Sequence, residues 1–390
     1  MSDADLFALI LAVLYLSECF HFASLNSIGL LCFVGRRARL FFPNPLVGRG
    51  RRGFLVAWPL PPLGDLFLPR PWPIAASPDA IVSYTALCLH PDGRATQDAV
   101  VQAIDEIRSI ETEDKTVFLN GKPFFHADSP PSASVVSRFI SQLRQTPHDA
   151  RASLIDNHLG SMFDADAIRT RLEIYRGTTR PLRLATNALF VHLLVVTPIS
   201  LLSSQFNRFW MPLMLAFVGL LALTLTEFWR AHKTLYPDES AERKQSVVFM
   251  SLLWLAAPRA LDLLSRRLLI AHHPLAAAKI LCAPEDFRAL ALRVWRDAQC
   301  PLLPIHPARA SELAIVEIWS RERFVRALEK FLFSSGFARE ELDAAPAIID
   351  TNLSYCPRCH CQYYLKEGVC RDCGGIPLRT LEVENEKTGR

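Results

Sequence analysis

Five of the ten cysteines in this 390-residue chain fall within "YCPRCHCQYYLKEGVCRDCG", residues 355–374. Four of them form two pairs, Cys356-x-x-Cys359 and Cys370-x-x-Cys373, with ten residues between the pairs. Two residues between thiolates allow a tight turn to point both sulfurs at one ion. Two such knuckles supply four soft ligands in a tetrahedron, for which zinc is the default ion. The spacing therefore predicts one structural Zn2+ held by Cys356, Cys359, Cys370 and Cys373. Its binding free energy, of order 10–16 kcal/mol for small zinc modules, would fold a segment too short for a core of its own. A short hairpin with Tyr363, Tyr364 and Leu365 as strand residues is expected between the knuckles.

The segment resembles the zinc-ribbon family, and more loosely the bacterial ribbons of the form CxxCG…CxxCG attached to membrane proteins. The resemblance covers about 25 residues and implies a metal site without implying an activity. The chain departs from the pattern at His360, which stands where a glycine follows the first knuckle. His360 and Cys361 are thereby left as spare donors beside the site, and both are read as non-ligands. Rubredoxin-like iron sites also pair two knuckles, across a much longer interval. The "CPRC" of the first knuckle has the Cys-Pro-x-Cys form of glutaredoxin-like dithiols, but that chemistry needs a strand before it and a helix after it.

No phosphate-binding GxxxxGK[ST], GxSxG or HExxH is present. In the ribbon segment Arg358, Lys366 and Arg371 are offset by Glu367 and Asp372, so no basic face for nucleic acid is expected. The whole-chain net charge of +4 is likewise modest for a nucleic-acid binder. Cys19, Cys32, Cys88, Cys282 and Cys300 are scattered through apolar or helical contexts. They read as small buried hydrophobes, with no disulfide framework.

The elements that carry this module look membrane-bound. Half the residues are hydrophobic and mean hydropathy is +0.17. Residues 6–20, "LFALILAVLYLSECF", extended to Phe22, approach the ~20 residues of a spanning helix. Asp3 and Asp5 precede them, where a secretory signal would carry positive charge, so a retained anchor over 1–23 is expected. Arg36, Arg37, Arg39, Arg49, Arg51 and Arg52 follow, which places the N-terminus outside by the positive-inside rule. Residues 184–204 and 209–228 are each about one span long and form a hairpin over 184–229. Arg176, Arg180 and Arg183 precede it and Arg230 and Lys233 follow it, so both ends favour the cytoplasm. Glu18 and His192 are ionisable groups within or near spans, and both are read as structural. "SVVFMSLLWLAA", 246–257, is too short to cross and is expected to be a buried or interfacial helix.

Between anchor and hairpin, 28–165 reads as an α+β cytoplasmic domain. Strands are expected over 30–42, 53–60 and 80–89, and helices over 95–110 and 132–146, the latter capped by Ser132 or Ser134. Asn120-Gly121 between apolar runs predicts a hairpin within 116–125. Seven prolines in 58–78 read as a stiff connection. A basic juxtamembrane helix, 166–183, leads into the hairpin. Residues 230–350 read as a helical cytoplasmic region. Leu261, Leu264, Leu268 and Leu269 form one apolar face in it, and Leu313, Val316, Phe324, Leu328 and Phe331 another. His272 and His273 are read as the end of a helix, and Gly336 as a helix stop. The ribbon, 354–378, and a polar tail, 379–390, complete the chain.

The fold class expected is thus an integral membrane protein with three α-helical spans, an α+β cytoplasmic domain, a helical cytoplasmic region and a C-terminal zinc ribbon. The expected location is multi-pass in a bacterial plasma (inner) membrane, with the N-terminus outside and the C-terminus cytoplasmic. The arginine-rich composition fits a bacterial source. The expected partners are the lipid bilayer and a protein on the cytoplasmic side, with no nucleic acid. The expected role is non-enzymatic interaction or scaffolding. The alternatives are a component of a transport or envelope-assembly system and a membrane-tethered thiol oxidoreductase.

Overall fold

The computed structural model describes residues 46–49, 55–58, 74–89, 95–127, 130–202, 206–268, 271–281, 284–299, 310–349, 351–373 and 375–381. The anchor expected over 1–23, with Glu18, lies outside them. So do the strands expected over 30–42, most of the proline-rich stretch, and Cys19, Cys32, Cys282 and Cys300.

In chain order the strands begin with β1 (Leu46–Arg49), β2 (Leu55–Trp58), β3 (Ile74–Ala76), β4 (Ala80–Leu89), β5 (Ala95–Ala103), β6 (Ile110–Glu113), β7 (Thr116–Leu119) and β8 (Lys122–His126). Helices follow as α1 (Pro130–Gln145), α2 (His148–Met162) and α3 (Ala165–Val191), then a π turn at His192–Val196 and α4 (Thr197–Leu202). Next come α5 (Phe206–Leu235), α6 (Ser240–Leu252), a 3-10 turn at Trp254–Arg259 and α7 (Ala260–Leu268). The chain continues with α8 (Pro274–Leu281), α9 (Pro284–Gln299), α10 (Ala310–Ser334) and α11 (Arg339–Leu342). The short strands β9 (Ser354–Tyr355), β10 (Gln362–Tyr363), β11 (Val369–Cys370), β12 (Ile376–Pro377) and β13 (Arg379–Thr380) close it. The chain divides into two compact units, one including Ala165–Leu269 and the other including Pro59–Asp164 and Ile270–Arg390.

In the second unit β3, β4 and β5 form one antiparallel sheet and β6, β7 and β8 another. The hairpin at Asn120-Gly121 is present, with φ of 52° and 74° at its two turn residues. Both values are the left-handed geometry that a two-residue primed turn demands. Asn120 does more than turn the chain. Its Oδ1 accepts the N–H groups of Arg108 and Ser109 at 2.7 and 3.2 Å, and its Nδ2 donates to the Glu106 carbonyl at 3.0 Å.

The helix expected over 95–110 is not formed. Residues 95–103 are strand β5, paired with β4 from Ala80↔Ala103 to Leu89↔Ala95, and 104–106 is a single 3-10 turn. The weak helix preference of "ATQDAVVQA" yields to the ladder offered by the apolar strand β4. Helix α1 begins at Pro130, two residues before the expected cap. Proline suits a first helical turn, where its missing N–H has no partner to lose.

Helix α10 buries Leu313, Val316, Phe324, Leu328 and Phe331. The first two pack with Ala75 of β3 and Val82 of β4. Its end at Gly336 (φ 91°) is closed by the Phe337 N–H donating to Leu332 O. His272 and His273 lie in the break after α7, consistent with the helix end expected there, and His273 also caps the helix that follows. It stands just before α8, and its Nδ1 accepts the Leu275 N–H at 3.1 Å. Its ring is buried and stacked on Phe163 at 4.7 Å.

In the first unit α3 packs lengthwise against α5. Ile168, Leu172, Tyr175, Thr179, Leu182, Thr186 and Leu189 form the buried stripe of α3 at three- and four-residue steps. Beyond Arg183 the opposite face is also apolar and stays exposed, as at Leu184, Val191 and Ile199. Among the described residues, Ala165–Ser200 and Trp210–Leu235 are long and apolar enough to cross a membrane. Only 28% and 11% of their most apolar stretches are covered by protein, whereas a core helix would be mostly covered. Of the expected turn residues 205–208, Phe206–Arg208 already belong to α5.

Candidate metal centre

The ribbon segment is too small to bury hydrocarbon on the scale of a domain, and its interior is largely sulfur. Cys356, Cys370, Cys373 and Ile376 form its buried cluster, with Tyr363 and Leu378 packed against it. The Sγ atoms of Cys356, Cys359, Cys370 and Cys373 all lie within 4.8 Å of one another. The four sequence-predicted cysteines are therefore brought together within metal-binding distance, as in a zinc-ribbon-like module.

Each knuckle is shaped by backbone bonds. In the first, the His360 N–H donates to Cys356 O and the Cys356 N–H donates to Cys361 O, both at 2.9 Å. His360 takes φ of 60°, the left-handed conformation that a glycine would adopt without steric cost. Its ring meets Tyr355 edge-on at 5.7 Å, and burial together with the nearby Arg296 cation holds its basicity down. In the second, the Gly375 N–H donates to Cys370 O at 2.9 Å with φ of 90°.

Strand pairing differs from the expected hairpin between the knuckles. Strand β9 takes β10 on one side and β13 on the other, and β11 pairs with β12. Each knuckle is thus flanked by its own antiparallel pairing. Tyr364 and Leu365 leave the ladder and are exposed. After Cys359 the chain turns into β10, so the "CPRC" dithiol lacks the following helix of a glutaredoxin-like centre.

The thiols act on one another as a set. Hydrogen bonding to Cys359 pushes the Cys356 thiol up to about 12. Cys359 accepts from Cys356 and Cys373 and is pushed far down, whereas hydrogen bonding to Cys356 first, and to Cys359 second, pushes Cys373 far up. One thiolate is stabilised by its neighbours' protons. A divalent cation, if bound, would supply that stabilisation to all four at once in place of those protons. The donor set therefore fits a soft, tetrahedral, closed metal site. His360 and Cys361 are not members of the four-sulfur cluster, although the Cys361 thiol hydrogen-bonds Cys359.

Three supporting contacts were not legible in the sequence. The Tyr363 hydroxyl donates to Cys370 Sγ at 3.1 Å, and that bond raises the phenol well above its ordinary range. The Gln362 amide oxygen accepts the Ile349 N–H at 2.9 Å and its NH2 group donates to Ala347 O, tying the incoming linker to β10. Arg358, between the first two cysteines, pairs with Asp297 of α9.

Comparison with protein-family models, curated proteins and solved structures finds no match to this chain.

Proposed function

We propose that this chain is a multi-pass protein of the bacterial plasma membrane whose cytoplasmic zinc ribbon binds a protein partner without catalysing a reaction. The observation that carries the reading is the pairing of a sulfur-filled interior with an apolar exterior on one small module. Tyr364, Leu365 and Val369, all in the segment between the two knuckles, are each more than half exposed. Large apolar side chains held outward on a rigid, metal-stapled turn are the kind of group that anchors a protein interface. The long apolar helices α3 and α5, with little of their surface covered by protein, support the membrane location. Zinc is favoured over other ions by four thiolates in a closed site, and the reducing cytoplasm is the compartment that keeps them free.

The test compares affinity purification from membranes of the native chain and of a Tyr364→Ser/Leu365→Ser variant. The expected result is a stable partner with the native chain, lost in the variant while metal content is unchanged. Equal recovery from both chains, or no partner with either, would contradict the proposal. Reporter fusions after residues 150, 240 and 390 test the topology, with all three expected on the cytoplasmic side.

The transport reading retains one supporting observation. His192 is buried at the start of the π turn of the first hairpin helix, with its ring facing Phe217 at 6.5 Å, and such turns often occur at functional sites. A His192→Ala variant with unchanged phenotype would remove that support.

A further inference from the structure

Helix α6 starts polar and ends apolar. Glu239, Glu242, Arg243 and Lys244 occupy its beginning, and no charged residue occurs from Ser246 to Ala257. With 13 residues it is about 20 Å long, too short to cross a bilayer. It runs back along α5, and two ring contacts fix its course. At the polar start, the buried Arg243 guanidinium lies 5.0 Å from the centre of the Trp229 ring. At the far end, Trp254 meets Phe217 edge-on at 5.3 Å. Twelve residues of α5, about 18 Å of helix axis, separate Trp229 from Phe217.

Trp229 marks the polar end of the hairpin, where Arg230 and Lys233 follow. Phe217 lies well inside the apolar stretch. The chain from Arg243 to Trp254 therefore climbs from the polar end towards the apolar interior. There it reverses through the 3-10 turn at Trp254–Arg259 and returns as α7. Tyr175 and Tyr236 receive it, their hydroxyls donating to Leu261 O and Leu264 O at 3.2 and 2.7 Å.

Up to Ala257 the reversal is built for an apolar medium, and its last residue, Arg259, restores charge as the chain leaves it. Its inner side is filled by Met250, Ala257, Ala260 and Leu264. Its outer side exposes apolar groups, with Leu252 75% and Leu255 63% exposed. The peptide groups at the turn stay bonded, with Leu253 N–H to Phe249 O, Ala256 N–H to Leu253 O and Ala260 N–H to Ala257 O. Backbone that turns within hydrocarbon must be satisfied in this way. The two long helices also expose apolar side chains, Ile199, Leu215 and Val218 among them, so the same solvent suits both.

We infer that residues 246–257 form a re-entrant element. It enters the hydrocarbon of the leaflet adjoining Arg243 and leaves on the same side, with lipid acyl chains covering Phe249, Leu252, Leu253 and Leu255. The inference rests on the membrane reading of the hairpin, and its occupant is lipid rather than a second protein.

Photocrosslinking of the full chain in native membranes tests it. A benzophenone amino acid is placed singly at Phe249, at Leu252, at Leu215 on the exposed face of α5, and at Lys330 in α10. Adducts are identified by mass spectrometry. Acyl-chain adducts are expected at 215, 249 and 252, with none at 330. Lipid adducts at 215 but not at 249 or 252 would overturn the inference while leaving the membrane hairpin standing. Protein adducts at 249 and 252 would also overturn it. An absence of lipid adducts at all four positions would overturn the hairpin reading and this inference with it.

Discussion

Arg358 Nε donates to Asp297 Oδ1 at 2.8 Å, and both side chains are largely covered. The pair joins the first knuckle of the cysteine module to the last turns of α9. The module is therefore fastened to the helical body of its unit through a residue within its own first Cys-x-x-Cys turn.

Asp297→Ala should separate fastening from metal binding. Loss of a largely covered cation's partner costs about 3 kcal/mol. The expected result is faster proteolytic cleavage in the linker 344–353 with metal content unchanged. Unaltered cleavage would show that the ion pair does not hold the module in place.

Tyr363→Phe should weaken the metal site without abolishing it. The phenol O–H supports the Cys370 sulfur from outside the cluster, and such supporting bonds are worth about tenfold or more in metal affinity. Competition with a chelator should show that loss for the variant. An unchanged affinity would assign Tyr363 to packing alone.

His273 gives the second unit a specific pH dependence. Burial pushes its basicity down to about 4 from 6.5, and its Nδ1 must stay unprotonated to accept the Leu275 N–H. A lowered folded-state value means that the unfolded chain binds the extra proton first as pH falls. The stability it contributes is complete above pH 6.5 and is lost towards pH 4, about 3 kcal/mol in all. His273→Asn keeps a capping acceptor but does not titrate. Urea unfolding across that window should show a steeper loss for the native chain than for the variant. Parallel losses would contradict the assignment.

The features that were legible in the sequence are local ones. The CxxC spacing, the Asn120-Gly121 turn, the apolar face of α10 and the Gly336 stop each depend on residues a few positions apart. The features that were missed depend on distant partners. Strand β5 exists because β4 offers it a ladder, against the helical leaning of its own residues. His273 caps a helix because Phe163 and the Met162 carbonyl, to which its N–H donates at 2.8 Å, hold it there. The Tyr363 and Arg358 contacts likewise arise only once the chain has folded. His360 is intermediate. Its departure from the glycine of the resembling ribbons was visible, and the structure shows the same left-handed backbone achieved by a histidine.

One zinc ion is proposed to sit between Cys356, Cys359, Cys370 and Cys373. Elemental analysis of the purified chain tests this proposal most directly, with Cys370→Ser/Cys373→Ser and Cys361→Ser variants alongside. The expected result is one zinc per chain in the native protein and in Cys361→Ser, and none in the double variant. A native chain that purifies without metal, or a double variant that retains its zinc, would contradict the account.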